Sequence, residues 1–419
     1  MTGREASAAR HRDLRWGPSS RRVVTPLEGG LTAVPGVRAA GVVAGLKDSG
    51  APDLALVDVG EPVPVAVTTT TNLVKAAPCV IAEQHAADGR ARAVVVNAGN
   101  ANACTGERGM ADARRTCSDV AELLGVRASD VVPLSTGIIG VPMPIQRLRD
   151  ALPALHADLD DDLAAGTRAA RAITTTDSVD KQVAVEVADD AGSARVGGMA
   201  KGAGMIEPAM ATMLAVLVTD APLAPPVLRQ VLQQAVARTF NRISVDACGS
   251  TNDTVVLLAT GTAPTPPNLG TVQTGVEAVC ADLSRAIVTD GEGTSKVCAL
   301  TVRGAPDEDG AERLARAVTS SALFRAALHG ADPNWGRILA AMGAAGVPFD
   351  PMRVSVSCGK VMVCRFGMAT AFDPGQAAAA LSGPEVTITV DLGAGAHEAT
   401  MLCADLTPQY VADNAYYTT

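Results

Sequence analysis

A mixed α/β fold in two halves is what this sequence predicts, on three observations. Short apolar runs of strand length alternate with amphipathic stretches of helix length along the whole chain. Hydrophobic residues make up 47% of the 419 and charged residues 19%, ample for a large core and unlike a disordered chain. Aromatic residues contribute only 2%, so Ala, Val and Leu have to fill that core.

Residues 1–24 carry Arg4, Arg10, Arg12, Arg15, Arg21 and Arg22 among Ser, Ala and Gly with hardly any apolar periodicity, and read as a mobile tail. A nucleic-acid arm is the sharper alternative, but the net charge of −9 argues against a general nucleic-acid surface. Next, "ARAVVVNAGNANACTG" reads as a buried strand ending in a loop, and "DVVPLSTGIIG" repeats that layout with Ser135, Thr136 and Gly137 at its end. Helical periodicity marks "PIQRLRDALPALHADLDDDLAAG", "PPVLRQVLQQAVARTF", "TGVEAVCADLSRAIVTDG" and "ERLARAVTSSALFRAALHG". Strand-like runs lie between them: "KQVAVEVA", "TMLAVLVT", "DTVVLLATG", "KVCALTVRG", "VMVCRFG" and "EVTITVDLG". "GTAPTPPNLGT" is the best candidate for a boundary between halves.

The composition also removes several function classes. No apolar stretch approaches the roughly 20 residues that cross a bilayer, and the N-terminus carries no signal-peptide apolar region, so an unsecreted cytoplasmic protein is expected. Nine scattered cysteines, with no CxxC pair, suit reduced thiols acting as small core residues. Five histidines in no HxxxH or HExxH pattern give a metal site little support, and no bound cofactor is expected.

One stretch, "KGAGMIEPAMATML" (residues 201–214), crowds small residues, a Lys, a Glu and a Pro before Thr212 and an apolar run. A Thr hydroxyl is a poor nucleophile until something takes its proton. The histidines form no recognisable triad pattern, and the chain has no GxSxG elbow. Another base is available if the Ala211–Thr212 peptide bond is cut, because the freed α-amine sits on the same residue as the hydroxyl. Gly202 and Gly204 would permit the unusual backbone angles of a self-attacking peptide. On composition alone the plainer reading, a Gly-rich loop entering a core strand with an incidental Thr, is the stronger.

The wider sequence reverses that balance. "KGAGMIEPAMATML" resembles the self-cleavage segment of the ornithine acetyltransferase (glutamate N-acetyltransferase) family. Family-like motifs follow in order from Gly29: "GGLTAVPGVRAAGV", "VVVNAGNANACTG", "STGIIG", "ITTTDSVDK", "FNRISVDACGSTNDT", "DGEGTSK", "HGADPNWGRILAAMG" and "DLTPQYVADNAYYTT". The resemblance implies an N-terminal-nucleophile-like layered sandwich with a second α/β half. It implies cleavage between Ala211 and Thr212 into an alpha part (25–211) and a beta part (212–419), assembled as α2β2. Thr212 would be the acyl-carrying nucleophile, and Thr136 with Gly137 the oxyanion hole. Thr175, Lys201, Glu292, Asn414 and Thr419 would contact substrate, with Thr176 an alternative to Thr175 because Thr174 is an extra threonine.

Those residue types suit their roles. An oxyanion needs two donors aimed at one point, and a Gly allows close backbone approach. A compact ammonium such as Lys201 suits a substrate carboxylate, against the plainer reading of a solvated loop lysine. A carboxylate such as Glu292 suits an ornithine-like ammonium, against a simple turn residue, and the terminal segment reads as docked rather than frayed. "GADPNWGRI" reads as structure, with Trp335 and Arg337 holding a buried turn.

The implied activity is ping-pong transfer of acetyl from N2-acetylornithine to glutamate, in arginine synthesis or a related specialised pathway, with acetyl-CoA open as a further donor. An aminopeptidase or amidase of similar self-cleaving fold is the enzymatic alternative, and a non-catalytic subunit the alternative outside enzymes. The family's common Asn before Met-Ala-Thr is Ala209 here, an acidic residue often found near Cys248 is replaced, and the first 24 residues are additional. These departures bear on substrate choice and remove no expected catalytic group.

Overall fold

The computed structural model describes residues 24–207 and 213–415. They form two compact units, residues 24–292 with 412–415, and residues 293–411.

The larger unit is built on β1 (Val24–Leu27), β2 (Arg38–Val42), β3 (Leu54–Thr69), β4 (Arg90–Asn100), β5 (Val131–Ile138), β6 (Lys181–Asp189), β7 (Gly192–Lys201), β8 (Leu214–Thr219) and β10 (Thr254–Ala259), with a two-residue β9 at Ile243–Ser244. The sheet order is β1-β6-β7-β8-β10-β3-β4-β5, and β2 also pairs with β3. β8 and β10 run parallel at its centre, and every residue of both is buried. That is why each reads as an unbroken apolar run rather than an alternation.

In β3 both faces are covered. Leu54 and Leu56 enter one apolar cluster with residues of helices Ala77–His85, Gly106–Leu124 and Ile145–Ala157, while Ala55 and Val57 enter another with residues of helix Leu163–Ala172. Successive side chains point to opposite faces of a strand, so a sheet between two helical layers needs apolar residues at consecutive positions. Helices Pro225–Arg238 and Leu269–Thr289 complete the unit, packing on β3 and on β6 with β7 respectively.

The smaller unit carries a mixed sheet of β11 (Val297–Ala305), β12 (Ser355–Cys358), β13 (Val361–Arg365), β14 (Met368–Ala369), β15 (Glu385–Asp391) and β16 (His397–Ala404). β11 lies between β15, parallel to it, and the antiparallel β16. Helix Glu308–Thr319 packs against β11 and β16.

The expected strands are all present, but the structure corrects four other expectations. Two of the four helical stretches are each two helices: Asp162 caps Leu163–Ala172 and Ser321 caps Ala322–His329, each side chain accepting an amide of the new first turn. The division between units falls at residues 292/293, not in "GTAPTPPNLGT". That loop stays in the larger unit, tied by Ser193 N–H to Thr265 O and Ala263 N–H to Asp220 O. Trp335 and Arg337 open a helix, Trp335–Ala344, capped by Asn334, rather than holding a buried turn. Seven of the nine cysteines are buried free thiols, while Cys104 and Cys248 are exposed.

Candidate active site

Lys201, the last residue of β7, pairs with Leu214 at the start of β8, and Leu214 pairs with Thr254 at the start of β10. Ala211 and Thr212, within residues 208–212, lie outside the described residues, as does Thr419. Both flanks of that segment are pinned. Before it, Gly202 N donates to Asp177 Oδ1 at 2.7 Å, and the amides of Met205 and Ile206 donate to the Asp246 carboxylate at 2.5 and 2.8 Å. Ile206 O accepts from Val245 N at 2.7 Å. After it, Met213 N donates to Asp253 Oδ1 at 3.1 Å and Met213 O accepts from Thr254 N at 3.2 Å.

Gly204 is needed for room rather than for an unusual φ. Its φ is not positive, and a β-carbon there would stand 2.4 Å from Glu292 Oε2. A side chain at that point would have to displace the Glu292 carboxylate. Glu292 is held from two more directions: its amide donates to Ala203 O at 2.9 Å, and its Oε2 accepts from Asn414 Nδ2 at 2.9 Å. The terminal helix Pro408–Ala415 thereby brings Asn414 to Glu292, so two of the expected substrate contacts meet.

Lys201 is only 2% exposed, which rules out the solvated loop lysine. Its one ion pair among the described residues is with Asp177 Oδ2 at 3.9 Å, beyond hydrogen-bond range. Burial lowers its pKa from the ordinary lysine value, with Asp177 opposing. Burial alone would raise the Asp177 carboxyl, but Lys201 and Lys181 outweigh it and hold it well below the usual carboxylate range. Thr175 N donates to the same Asp177 Oδ2 at 2.9 Å, which gathers Thr175 and Lys201 around one carboxylate.

Thr136 is buried in β5, and Gly137 follows with φ +131°. β4 and β5 run parallel with Gly99 opposite Gly137 and a register shift immediately after. A β-carbon on Gly137 would meet the backbone of Gly99 at 2.3 Å and of Asn100 at 2.5 Å. Ser135 is locked on both sides: its Oγ donates to Asn97 Oδ1 at 2.5 Å and its carbonyl accepts from Asn252 Nδ2 at 2.8 Å. Asn252 and its neighbour Asp253 therefore tie the Thr136 strand to the start of β8.

Asp177, Asp246, Asn252 and Asp253 were not singled out from sequence. They lie in motifs that were, "TTTDSVDK" and "SVDACGSTND", but Gly202, Ile206, Met213 and Ser135, which they hold, are 25 to 117 residues away, so only the fold reveals the pairing. Asp253 is fully buried; its Oδ2 has no hydrogen-bond partner among the described residues, and burial pushes its carboxyl well above the usual range. Among the described residues no cluster of His, Cys, Asp and Glu could hold a metal ion, and no helix is long and apolar enough to cross a membrane.

Known proteins resemble this chain over most of its length. A model of the ArgJ family matches residues 38–419. The arginine biosynthesis bifunctional protein ArgJ of Thermosynechococcus vestitus is 44% identical over 415 residues, covering 94% of this chain and 99% of the relative. That of Mycobacterium tuberculosis is 44% identical over 394 residues, covering 93% and 96%. Among solved structures, ornithine acetyltransferase from Mycobacterium tuberculosis, complexed with ornithine, is 44% identical, covers 44% of this chain and 98% of that one, and has a TM-score of 0.41.

Proposed function

This chain belongs to the ArgJ family, and from that membership we propose that it carries acetyl from N2-acetylornithine to glutamate in arginine biosynthesis. The observation that carries the reading is the buried Lys201, its ammonium in no hydrogen bond with a described residue, beside the Glu292–Asn414 pair. A cation and a carboxylate of this kind fit an amino acid bearing a carboxylate and a side-chain ammonium.

In the proposed mechanism the chain is cut between Ala211 and Thr212, and the new α-amine of Thr212 takes the proton of its own hydroxyl. The hydroxyl oxygen attacks the acetyl carbonyl carbon. Thr136 and the Gly137 amide donate to the oxyanion that forms. Collapse breaks the bond from acetyl carbon to N2, the ammonium of Thr212 returns its proton to that nitrogen, and ornithine leaves. The amine of glutamate then attacks the acetyl ester, giving N-acetylglutamate and free Thr212.

Lys201 receives the substrate α-carboxylate, with Thr175 beside it, and Glu292 receives the ornithine ammonium. Asn414 and Thr419 complete the pocket. The relatives' description as bifunctional supports a second acetyl source, for which acetyl-CoA is proposed as a co-substrate; no resident cofactor is required. The two fragments assemble as α2β2 in the cytoplasm.

Purified protein supplied with N2-acetylornithine should release ornithine in proportion to added glutamate and show parallel-line, ping-pong kinetics. Ornithine release that glutamate leaves unchanged would instead mean that water is the acceptor, as in the hydrolase alternative.

A further inference from the structure

Lys201 poses an electrostatic problem. An ammonium carries three donors, and burying it unpaired is costly. Asp177, whose side chain is fully buried, is the one carboxylate paired with it among the described residues, yet it stands 3.9 Å away. Asp177 meanwhile accepts three other hydrogen bonds. Oδ1 accepts from Lys181 Nζ and from Gly202 N, each at 2.7 Å, and Oδ2 accepts from Thr175 N at 2.9 Å. Lys181 has its own second partner, Asp290 Oδ2 at 2.6 Å. The charges of Asp177, Asp290, Lys181 and Lys201 therefore balance, while the Lys201 ammonium donates to no described residue.

We propose that Asp177 is a positioning residue that keeps the Lys201 ammonium charged without occupying its donors, leaving them for the substrate carboxylate, and that its other bonds fix Thr175 and Gly202 around the same point. The inference rests on the reading that Lys201 receives that carboxylate. A carboxylate at hydrogen-bonding distance would compete with the substrate; one held at 3.9 Å neutralises without competing. The other charges acting on Lys201 are Lys181, Glu292, Asp253 and Lys47. Asp177 is the largest of those favouring the charged form.

The test is the double variant Asp177→Asn/Lys181→Met, which removes one charge of each sign and leaves the net charge of the buried cluster unchanged. With glutamate saturating, kcat/KM for N2-acetylornithine is measured against pH on fully cleaved protein. The expected result is an alkaline limb displaced to lower pH by about one unit or more, carried by KM, with kcat/KM recovering toward the parent below it. Asp177→Glu should recover part of the shift. An unmoved limb, or a loss equal at every pH, would overturn the proposal.

If the variant does not fold, the parent still decides. Its kcat/KM must rise through the amine titration near the reference value of roughly 7.7 and hold its maximum before any alkaline fall. A fall with rising pH already at or below that value contradicts a Lys201 held charged. Lys201→Met separates the two readings: an unchanged KM would sink the carboxylate role itself, whereas a raised KM with an unmoved limb in the double variant would sink only the part given to Asp177.

Discussion

Gly137 rests against Gly99 with no room for a methyl group: a β-carbon on Gly137 would stand 2.3 Å from the Gly99 carbonyl carbon. The φ of +131° adds a second constraint, since side-chain-bearing residues rarely adopt it. Gly137→Ala must therefore push β5 away from β4 at the point where the oxyanion donors are proposed to converge. We expect a loss of about 1–3 kcal/mol in unfolding free energy from overpacking, and a fall in turnover on the order of 100-fold or more in cleaved protein. Denaturant unfolding and steady-state kinetics check both. Parental turnover would show that Gly137 has no part in the hole.

Thr136 tests the hydroxyl half of the same hole. Thr136→Val removes the donor while nearly keeping the shape, so turnover should fall about 100–1000-fold with much less change in substrate binding. Self-cleavage passes through a tetrahedral species too, so only cleaved material is informative. Turnover within about threefold of the parent would remove Thr136 from the mechanism.

Glu292 is tested by matching donors to charge. Glu292→Gln should weaken N2-acetylornithine by about 10–100-fold in KM, the range for losing a charged hydrogen-bond partner. N2-acetylnorleucine, which lacks the side-chain ammonium, should be used equally by parent and variant. Equal losses for both donors would mean that Glu292 shapes the Gly204 loop rather than reading the ammonium.

Asp253 yields a prediction about stability. Its folded-state pKa is raised, burial being the largest cause, so its protonated form is the one the fold favours. Its contribution is fully present below the ordinary carboxylate value and is lost as pH rises through the raised one. Asp253→Asn, always neutral, should therefore gain melting temperature relative to the parent between about pH 5 and pH 8. A difference that is the same at both pH values would contradict the sign of the shift.

How much of this was legible in the sequence depended on the range of the interaction. The strands of both sheets were readable because β8 and β10 are unbroken apolar runs and β15 alternates. The helix breaks were readable too, at Asp162 and Ser321, but apolar periodicity on either side concealed them. Thr136, Gly137, Lys201 and Glu292 came from motifs, and the structure sets Glu292 against Ala203 and Gly204, which follow Lys201 closely in the chain. Nothing local marks Asp177 as the partner of Lys201 and Gly202, or Asn252 as the clamp on Ser135, 117 residues away. The need for Gly204 was legible but its cause was not, because the obstacle is the carboxylate of Glu292, from a distant segment.

The central claim is that Thr212, freed at the N-terminus of its own fragment, carries the acetyl group between substrates. Mass spectrometry of protein mixed with N2-acetylornithine in the absence of glutamate tests it most directly. The account predicts two fragments, the second beginning at Thr212 and heavier by one acetyl group that is localised to that residue and lost when glutamate is added. An uncleaved chain that is nonetheless fully active, or an acetyl group found on another residue, would contradict it.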